Sequence, residues 1–196
     1  MARRVFFSFH FQRDIFRVNT VRNSDVTKKG IEQSGYWDHS LWEETKKKGD
    51  AALQKLINDG LTNTSVTVAL AGTETSQRKW VRYELVKSFE RGNGLMTVYI
   101  NQVKDISAKL DTRGVDPLAH LYFTIASGGS TASIQHAVNG QLAPYMTINA
   151  TSLPAAAKTA GKGLLSIAAR SYDWVGDEGY TNFGKWVEAA ATAAGR

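Results

Sequence analysis

The sequence predicts an α/β fold in which a mostly parallel sheet has helices on both faces. Three short runs rich in apolar and β-branched residues have the composition of buried strands: RVFFSF at 4–9, SVTVAL at 65–70 and LMTVYI at 95–100. Segments with helical periodicity separate them, and strands that alternate with helices form right-handed βαβ units. The length of 196 residues suits one domain of ordinary size.

Two helices are predicted before the second of these strands. In RDIFRVNTVRNS at 13–24, one helical face carries Ile15, Val18 and Val21, with Phe16 beside it. In GDAALQKLINDGL at 49–61, Asp50 is the predicted N-cap and Gly60 ends the helix. The aromatic segment GYWDHSLW at 35–42 is predicted to be a weaker strand or an extended loop.

The segment RKWVRYELVKSFERGNG at 78–94 is predicted to be one helix that Gly92 and Gly94 end. Its narrow apolar stripe consists of Val81, Leu85 and Phe89. A second stripe flanks it and consists of Trp80, Glu84 and Ser88. This position predicts a half-exposed Glu84, for which a solvated carboxylate near Arg82 or Lys87 is the ordinary interpretation.

The second half of the chain is predicted to contain a β-meander and two helices. LAHLYFTIASGGSTASIQHAVNGQLAPYM at 118–146 is predicted to be a β-meander that turns at Gly128-Gly129 and Asn139-Gly140. Residues 153–175 are predicted to form a helix interrupted by glycines, and residues 181–195 a terminal helix. We therefore expect an α/β core at 1–110 and an extension at 111–196 that packs on the same domain.

The fold class also predicts where a ligand binds. In open α/β sheets, ligands lie beyond the carboxyl ends of the strands, where the strand order reverses. For the order 2-1-3-4 of flavodoxin-like folds, the expected walls are SFHFQ at 8–12, AGTETS at 71–76 and the helical turns with Trp80 and Glu84.

Composition narrows the class of protein. The chain is 42% hydrophobic and 21% charged, as is typical of a globular protein. It has no apolar run near the roughly 20 residues of a membrane span, so neither a membrane segment nor a signal peptide is predicted. The absence of cysteine is typical of a cytoplasmic protein, and the four histidines lack metal-ligand spacing, so no metal site is predicted.

The charge raises a separate hypothesis. A net charge of +6 suggests a nucleic-acid partner or an anionic small molecule with several phosphates. The basic residues are spread along the chain, however, and the one dense run, TKKKGD at 45–50, is typical of a solvated helix face. Nucleic acid is therefore the less favoured partner.

Several segments resemble a known family. RVFFSFH at 4–10 resembles the first strand of a TIR domain, and residues 53–85 are similar to the TIR stretch that ends in a Trp-x-x-x-Glu helix. Together with SLWEETKK at 40–47 and YDWVGDEGYTNFGKWV at 172–187, they resemble the TIR proteins of bacterial Thoeris antiphage systems. Residues 112–168 match poorly.

This resemblance implies a flavodoxin-like TIR fold and an enzyme. It implies cleavage of NAD, as a substrate and without a further cofactor, at the nicotinamide–ribose bond. The product would be a cyclic ADP-ribose isomer that diffuses to a separate effector protein. Self-association on activation and a phage-derived trigger are implied as well.

The resemblance also assigns residues. Glu84 would be catalytic, because a carboxylate stabilises the positive charge that develops on the ribose. Trp80 would be an aromatic ledge under the site, or else a simple packing residue between helix and sheet. Arg82 would bind a phosphate, or else be a solvated helix charge.

Four further substrate-binding residues are implied. Ser8, Phe9 and His10 match the loop that contacts the nucleotide, although Phe9 could be a core residue and His10 a hydrogen-bonded loop histidine. Asp38 lies where TIR domains begin the loop that links neighbouring subunits. Three further tryptophans are predicted to be structural: Trp42, Trp174 and Trp186.

Two alternatives from other classes stay open. One is a TIR protein that works as a sensing or assembly module without turnover. The other is a basic flavodoxin-like protein that binds nucleotides or nucleic acid. The carboxylate at position 84 favours the enzyme, because an interaction surface has no need of it.

Overall fold

The computed structural model describes residues 3–25, 27, 31–35 and 39–196, without the side chain of His39. Asp38, one of the predicted substrate-binding residues, lies outside the described residues. The strands are β1 (Arg3–Phe9), β2 (Ile31–Ser34), β3 (Val66–Ala71), β4 (Gly94–Tyr99), β5 (Leu121–Ile125), β6 (Thr131–Val138), β7 (Gln141–Asn149), β8 (Lys162–Leu164) and β9 (Ala169–Asp173). The α-helices are α1 (Phe11–Arg22), α2 (His39–Lys47), α3 (Asp50–Gly60), α4 (Lys79–Glu90), α5 (Ala155–Ala160) and α6 (Gly179–Ala193).

The central sheet is parallel and confirms the predicted fold class. Its strand order is β2-β1-β3-β4-β9, and each neighbouring pair of strands is parallel. The first four strands have the flavodoxin-like order, so the order reverses between β1 and β3 as predicted. The carboxyl ends of these two strands therefore define the edge at which a ligand is expected.

The two faces of the sheet bury different helices. On one face, alternate residues of β1 such as Val5 and Phe7 share a core with α1 and α6. On the other face, the alternation of side chains along a strand directs Phe6 and Ser8 towards α3 and α4. Ser8 thus lies on the face that carries Glu84.

A second, antiparallel sheet covers the outer side of α4. Its order is β7-β6-β5-β8, which confirms the predicted meander. Asn139 and Gly140 have the positive φ angles, 49° and 78°, that a tight hairpin turn requires. The ring of Phe123 on β5 lies 5.2 Å from that of Phe89 on α4. Helix α4 is therefore enclosed between two sheets.

Two predicted elements are wrong. Segment 35–42 was predicted to be a strand or an extended loop, but residues 39–47 form helix α2, while residues 36–38 lie outside the described residues. The strand of this region is β2 at Ile31–Ser34. The segment 153–175 contains only a short helix, α5, after which β8 and β9 follow. Strand β9 joins β4 at the edge of the parallel sheet, so part of the predicted extension completes that sheet. The division of the chain at residue 110 stays a prediction.

Helix α1 buries charged residues that the apolar pattern did not predict. Asp14 and Arg17 are buried, whereas Phe16 is 49% exposed. The reason is the segment after β4, which covers this side of the helix: Arg17 Nε donates to the carbonyl oxygen of Val103 at 3.0 Å. In α3, Asp50 is the first helical residue and Gly49 occupies the N-cap position, so that predicted cap is also wrong.

Gly92 and Gly94 have different roles, although both were predicted to end α4. Gly92 has a φ of 71° just after the helix, as a helix-ending glycine does. Gly94 is already the first residue of β4. A Cβ atom there would lie 2.3 Å from the main-chain oxygen of Ala190, so a glycine is needed for α6 to pack on the sheet.

We expect Gly94→Ala to lower the free energy of unfolding by about 1–3 kcal/mol, because the added methyl group overpacks a backbone contact. Urea unfolding followed by circular dichroism measures this. Gly128→Ala is the matched control, since a Cβ there meets nothing within 4 Å. Equal unfolding midpoints for the two variants would contradict the close packing of α6 on β4.

Candidate functional site

A cavity of about 180 Å³ lies at the carboxyl end of β1, between α2 and the first turns of α4. The end of β1 and the start of α1 form one wall, α2 forms the second, and α4 forms the third. Its lining residues are Phe7, Phe9, His10, Phe11, Gln12, Gly35, Trp42, Glu43, Lys46, Arg78, Lys79, Trp80, Val81 and Glu84. The cavity therefore lies at the predicted edge, but the loop AGTETS at 71–76 does not line it.

Glu84 is the buried carboxyl group of this cavity. The residue is 5% exposed, so the predicted half-exposed position is wrong. The Ser8 hydroxyl donates a hydrogen bond to Oε2 at 2.6 Å. Burial raises the pKa of Glu84 to about 8, although the Ser8 hydrogen bond acts in the opposite direction. The free protein near pH 7 thus holds Glu84 mainly as a neutral acid.

A chain of buried hydroxyl groups fixes the backbone beneath Glu84. Ser88 Oγ donates to the main-chain oxygen of Glu84 at 2.7 Å, and Thr67 Oγ1 on β3 donates to Ser88 Oγ at 2.8 Å. Asn93 Nδ2 in turn donates to Thr67 Oγ1 at 3.4 Å. Because Thr67 and Ser88 are completely buried, these bonds hold α4 in register on the sheet.

The cavity walls are largely aromatic. Trp80 lines the cavity and also packs edge-on against Tyr83 with 5.9 Å between ring centroids, so it serves both as a wall and in packing. Phe9 is half-buried, lines the cavity and also contacts the core under α1. Trp42 was predicted to be structural but forms part of the cavity wall. Trp174 and Trp186 are buried, as predicted for structural residues.

His10 follows β1 and lines the same cavity. Burial, and then the positive charges of Arg78 and Arg13, lower the pKa of His10 to about 4. Its Nδ1 atom is buried and has no hydrogen-bond partner within the described part of the chain. Near pH 7 the imidazole is therefore neutral.

Three cations line the cavity, and none of them was predicted as a site residue. Lys46 comes from α2, in the run interpreted as a solvated helix face, while Arg78 and Lys79 begin α4. All three form ion pairs, with Glu43, Glu74 and Asp50 respectively. For Arg78 and Lys79 there was a signal in the sequence: they stand directly before Trp80, at the start of a helix whose first turns were expected to face the ligand.

Arg82 is not brought to the cavity. Its guanidinium carbon lies 5.6 Å from the ring centroid of Tyr145 on β7, on the side of the antiparallel sheet. Its role in phosphate binding stays a prediction, as does that of Asp38. Of the other predicted residues, Phe9, His10, Trp80 and Glu84 line the cavity, and Ser8 lies behind Glu84.

The described residues hold no cluster of three or more His, Asp or Glu side chains placed to bind a metal ion. No helix in the described part of the chain has the length and apolar character needed to span a bilayer.

The buried carboxyl group predicts how stability depends on pH. Relative to Glu84→Gln, the parent protein should lose stability between pH 4.5, where the unfolded chain ionises, and about 8, where the folded protein does. Within this pH window, the difference in unfolding free energy between the two proteins changes by at most about 1.4 kcal/mol per pH unit. Above the window the difference is constant. Urea unfolding at pH 5, 7 and 9 measures it. The control is Glu43→Gln, since this side chain is 34% exposed; the same pH trend there would contradict the burial argument.

Comparisons with known proteins identify the family of the chain. A family model described as "Thoeris protein ThsB, TIR-like domain" matches residues 6–105, which include the carboxyl end of β1 and the helix of Glu84. A relative from Bacillus cereus (strain MSX-D12), named "Putative cyclic ADP-D-ribose synthase ThsB1", is 43% identical over 191 residues. The alignment covers 95% of this chain and 100% of the relative. The chain therefore belongs to the ThsB family of Thoeris TIR proteins.

Proposed function

We propose that this protein cleaves NAD at the nicotinamide–ribose bond and closes the remaining ADP-ribose into a cyclic isomer. The observation that carries this proposal is the carboxyl group of Glu84, buried beside aromatic walls at the carboxyl end of β1. The name of the Bacillus cereus relative supports the same chemistry.

The bond that breaks makes one carboxylate sufficient. Nicotinamide leaves with the bonding electrons as a neutral molecule, because the pyridinium already carries the positive charge, so no general acid is needed. The ribose carbon becomes positively charged as in glycoside hydrolysis. Glu84 accepts a hydrogen bond from a ribose hydroxyl and stabilises that charge.

The positive charge of the substrate favours the ionised form of Glu84. The carboxyl is neutral in the free protein near pH 7, because burial raises its pKa to about 8. A pyridinium ion that enters the cavity favours the carboxylate, since an opposite charge within a few ångströms lowers a carboxyl pKa. Glu84 then gives its proton to solvent water on substrate binding and becomes the electrostatic stabiliser.

The diphosphate requires positive charge near the cavity mouth. Lys46, Arg78 and Lys79 are exposed to different degrees, and each can exchange its carboxylate partner for a phosphate. The neutral imidazole of His10 lines the same cavity from the wall formed by β1 and α1. These groups place the phosphates outside the aromatic part of the cavity.

Ring closure requires the adenosine end to reach the ribose carbon before water does. A cavity of about 180 Å³ is smaller than the roughly 300–1,000 Å³ of pockets that enclose a drug-sized ligand. One chain therefore encloses the nicotinamide riboside half of NAD and leaves the adenosine half outside. We propose that a second copy of the chain supplies the missing wall, so that self-association activates the enzyme.

The product is proposed to leave as a messenger in antiphage defence. It would activate a separate effector protein in the cytoplasm, and a phage-derived trigger would promote the assembly of the synthase. NAD is the substrate in this scheme, and no further cofactor takes part. A purely non-catalytic module is disfavoured, because a buried carboxyl group costs stability without serving a contact surface.

Glu84→Gln should lower the rate of nicotinamide release at least a hundredfold while the fold is retained, because it removes the charge but keeps the size. Chromatography with mass analysis of the products measures both the rate and the outcome. The main product of the parent protein should have the mass of ADP-ribose less one water.

The control for this experiment is Glu44→Gln, whose carboxylate is 64% exposed on α2 and does not line the cavity. Its activity should match that of the parent. Retained turnover in folded Glu84→Gln protein would refute the assignment, and linear ADP-ribose as the sole product would make the protein a plain NAD hydrolase.

Specific activity should rise with protein concentration, because an isolated chain leaves the ribose exposed to water. Nicotinamide release is measured over a wide concentration range, with molecular mass determined in parallel by light scattering. Specific activity that stays constant and high where the protein is strictly monomeric would show that one chain completes the site.

A further inference from the structure

Ser8 lies behind the cavity and not on its surface. The residue is 0% exposed on β1, where it is directly opposite Ala69 of β3 in the parallel register. It is absent from the cavity lining, whereas Phe7, Phe9 and His10 on either side of it contribute to that lining. A dinucleotide in the cavity would therefore meet the neighbours of Ser8 but not its hydroxyl.

The hydroxyl of Ser8 is instead committed to Glu84. Its Oγ donates to Oε2 at 2.6 Å, a short distance for a hydrogen bond to a carboxyl oxygen. A donor that points at a carboxyl oxygen orients the group and stabilises its negative form. Because the carboxyl is shielded from water, this single bond has a large effect on both properties.

We propose that Ser8 is a positioning residue that aims the Glu84 carboxyl into the cavity and favours its ionised form without touching the substrate. Its catalytic meaning rests on the proposed function. It differs from the sequence prediction, in which Ser8 binds the nucleotide.

Other ionisable groups line the same cavity as Glu84. They are His10 after β1, Glu43 and Lys46 of α2, and Arg78 and Lys79 of α4. The three cations are paired with carboxylates. The hydrogen bond from Ser8 is the direct contact, so removing it should have a separable effect.

The chain offers a matched pair of variants. Ser8→Ala removes the hydroxyl that bonds the carboxyl of Glu84. Ser88→Ala also removes a completely buried hydroxyl, but one that bonds the main-chain oxygen of the same residue. Ser8→Thr retains the hydroxyl and is the rescue variant.

The first measurement needs no substrate. Titration of the Glu84 carboxyl by carbon-13 NMR, with Glu84→Gln to assign the signal, gives its pKa in each variant. We expect the pKa to rise by about one unit in Ser8→Ala and to stay near the parent value in Ser88→Ala and Ser8→Thr.

The second measurement is the pH dependence of turnover. In Ser8→Ala, the acidic limb of the plot of kcat against pH should move to higher pH by about one unit. At a pH below that limb, this shift lowers the rate about tenfold. At a pH below that limb, KM for NAD should change little, because Ser8 does not touch the substrate and Glu84 there stays protonated when NAD binds. Melting temperatures of the two alanine variants check that lost packing is not the cause.

Two outcomes would overturn the proposal. One is an unchanged pKa of Glu84 in folded Ser8→Ala protein. The other is a raised KM with an unchanged kcat profile, which would mean that Ser8 binds substrate. The two proposals can also fail separately. If the pKa of Glu84 shifts as expected but the parent protein never releases nicotinamide, the proposed function is refuted and the Ser8–Glu84 coupling still holds.

Discussion

Burial of the Glu84 carboxyl group is the constraint on which the site depends. An ionised carboxylate without water is costly, so the resting protein holds the group as an acid with its pKa raised to about 8. The burial follows from the side of α4 that Glu84 occupies: its carboxyl faces the parallel sheet, where it meets the Ser8 hydroxyl of β1. The antiparallel sheet packs on the outer side of the same helix, and none of its residues lines the cavity.

The same burial creates a conflict between stability and function. A glutamine at this position would remove the cost of ionisation at alkaline pH, yet it would also remove the charge that the chemistry needs. The fold offsets the cost by local hydrogen bonds: Ser8 bonds the side chain, while Ser88 and Thr67 secure the backbone. A helix held so firmly can keep a carboxyl aimed at a small cavity without a ligand to hold it there.

The sequence predicts the elements whose pattern is local and misses those decided by distant contacts. Strands β1, β3 and β4 are buried on both faces, so continuous apolar runs mark them. Strand β9 is an edge strand with exposed Arg170 and Ser171, and its backbone pairing with β4 leaves no apolar run. The aromatic residues of segment 35–42 suggested a strand or an extended loop because aromatic side chains favour strands, but Trp42 lies in α2 and lines the cavity.

The sequence predicted correctly where in the fold the site lies. It did not predict how deeply Glu84 is buried or which charged residues surround it. Strand order placed Glu84 beside the carboxyl end of β1, which needs only the alternation of strands and helices. Its burial depends on how α4 packs against the sheet, where Ser8, 76 residues earlier in the chain, meets its carboxyl, and helical periodicity alone does not give that contact. The cations were missed for a related reason, since Lys46 lies in a basic run that resembles any solvated helix face.

Two titratable groups in the cavity, Glu84 and His10, have pKa values that are shifted in opposite directions. As a result, neither of these groups carries a charge in the free protein near pH 7. Glu84 is held as an acid and His10 as a neutral imidazole near pH 7. Under the proposed function, oxidised NAD supplies the missing charges, with a pyridinium for Glu84 and a diphosphate for the side of His10. Reduced NAD has the phosphates but no pyridinium, so it would not ionise Glu84, and its dihydropyridine could not leave as neutral nicotinamide. The burial of the Glu84 carboxyl is then enough for the protein to discriminate oxidised NAD from reduced NAD, and no additional contact is required.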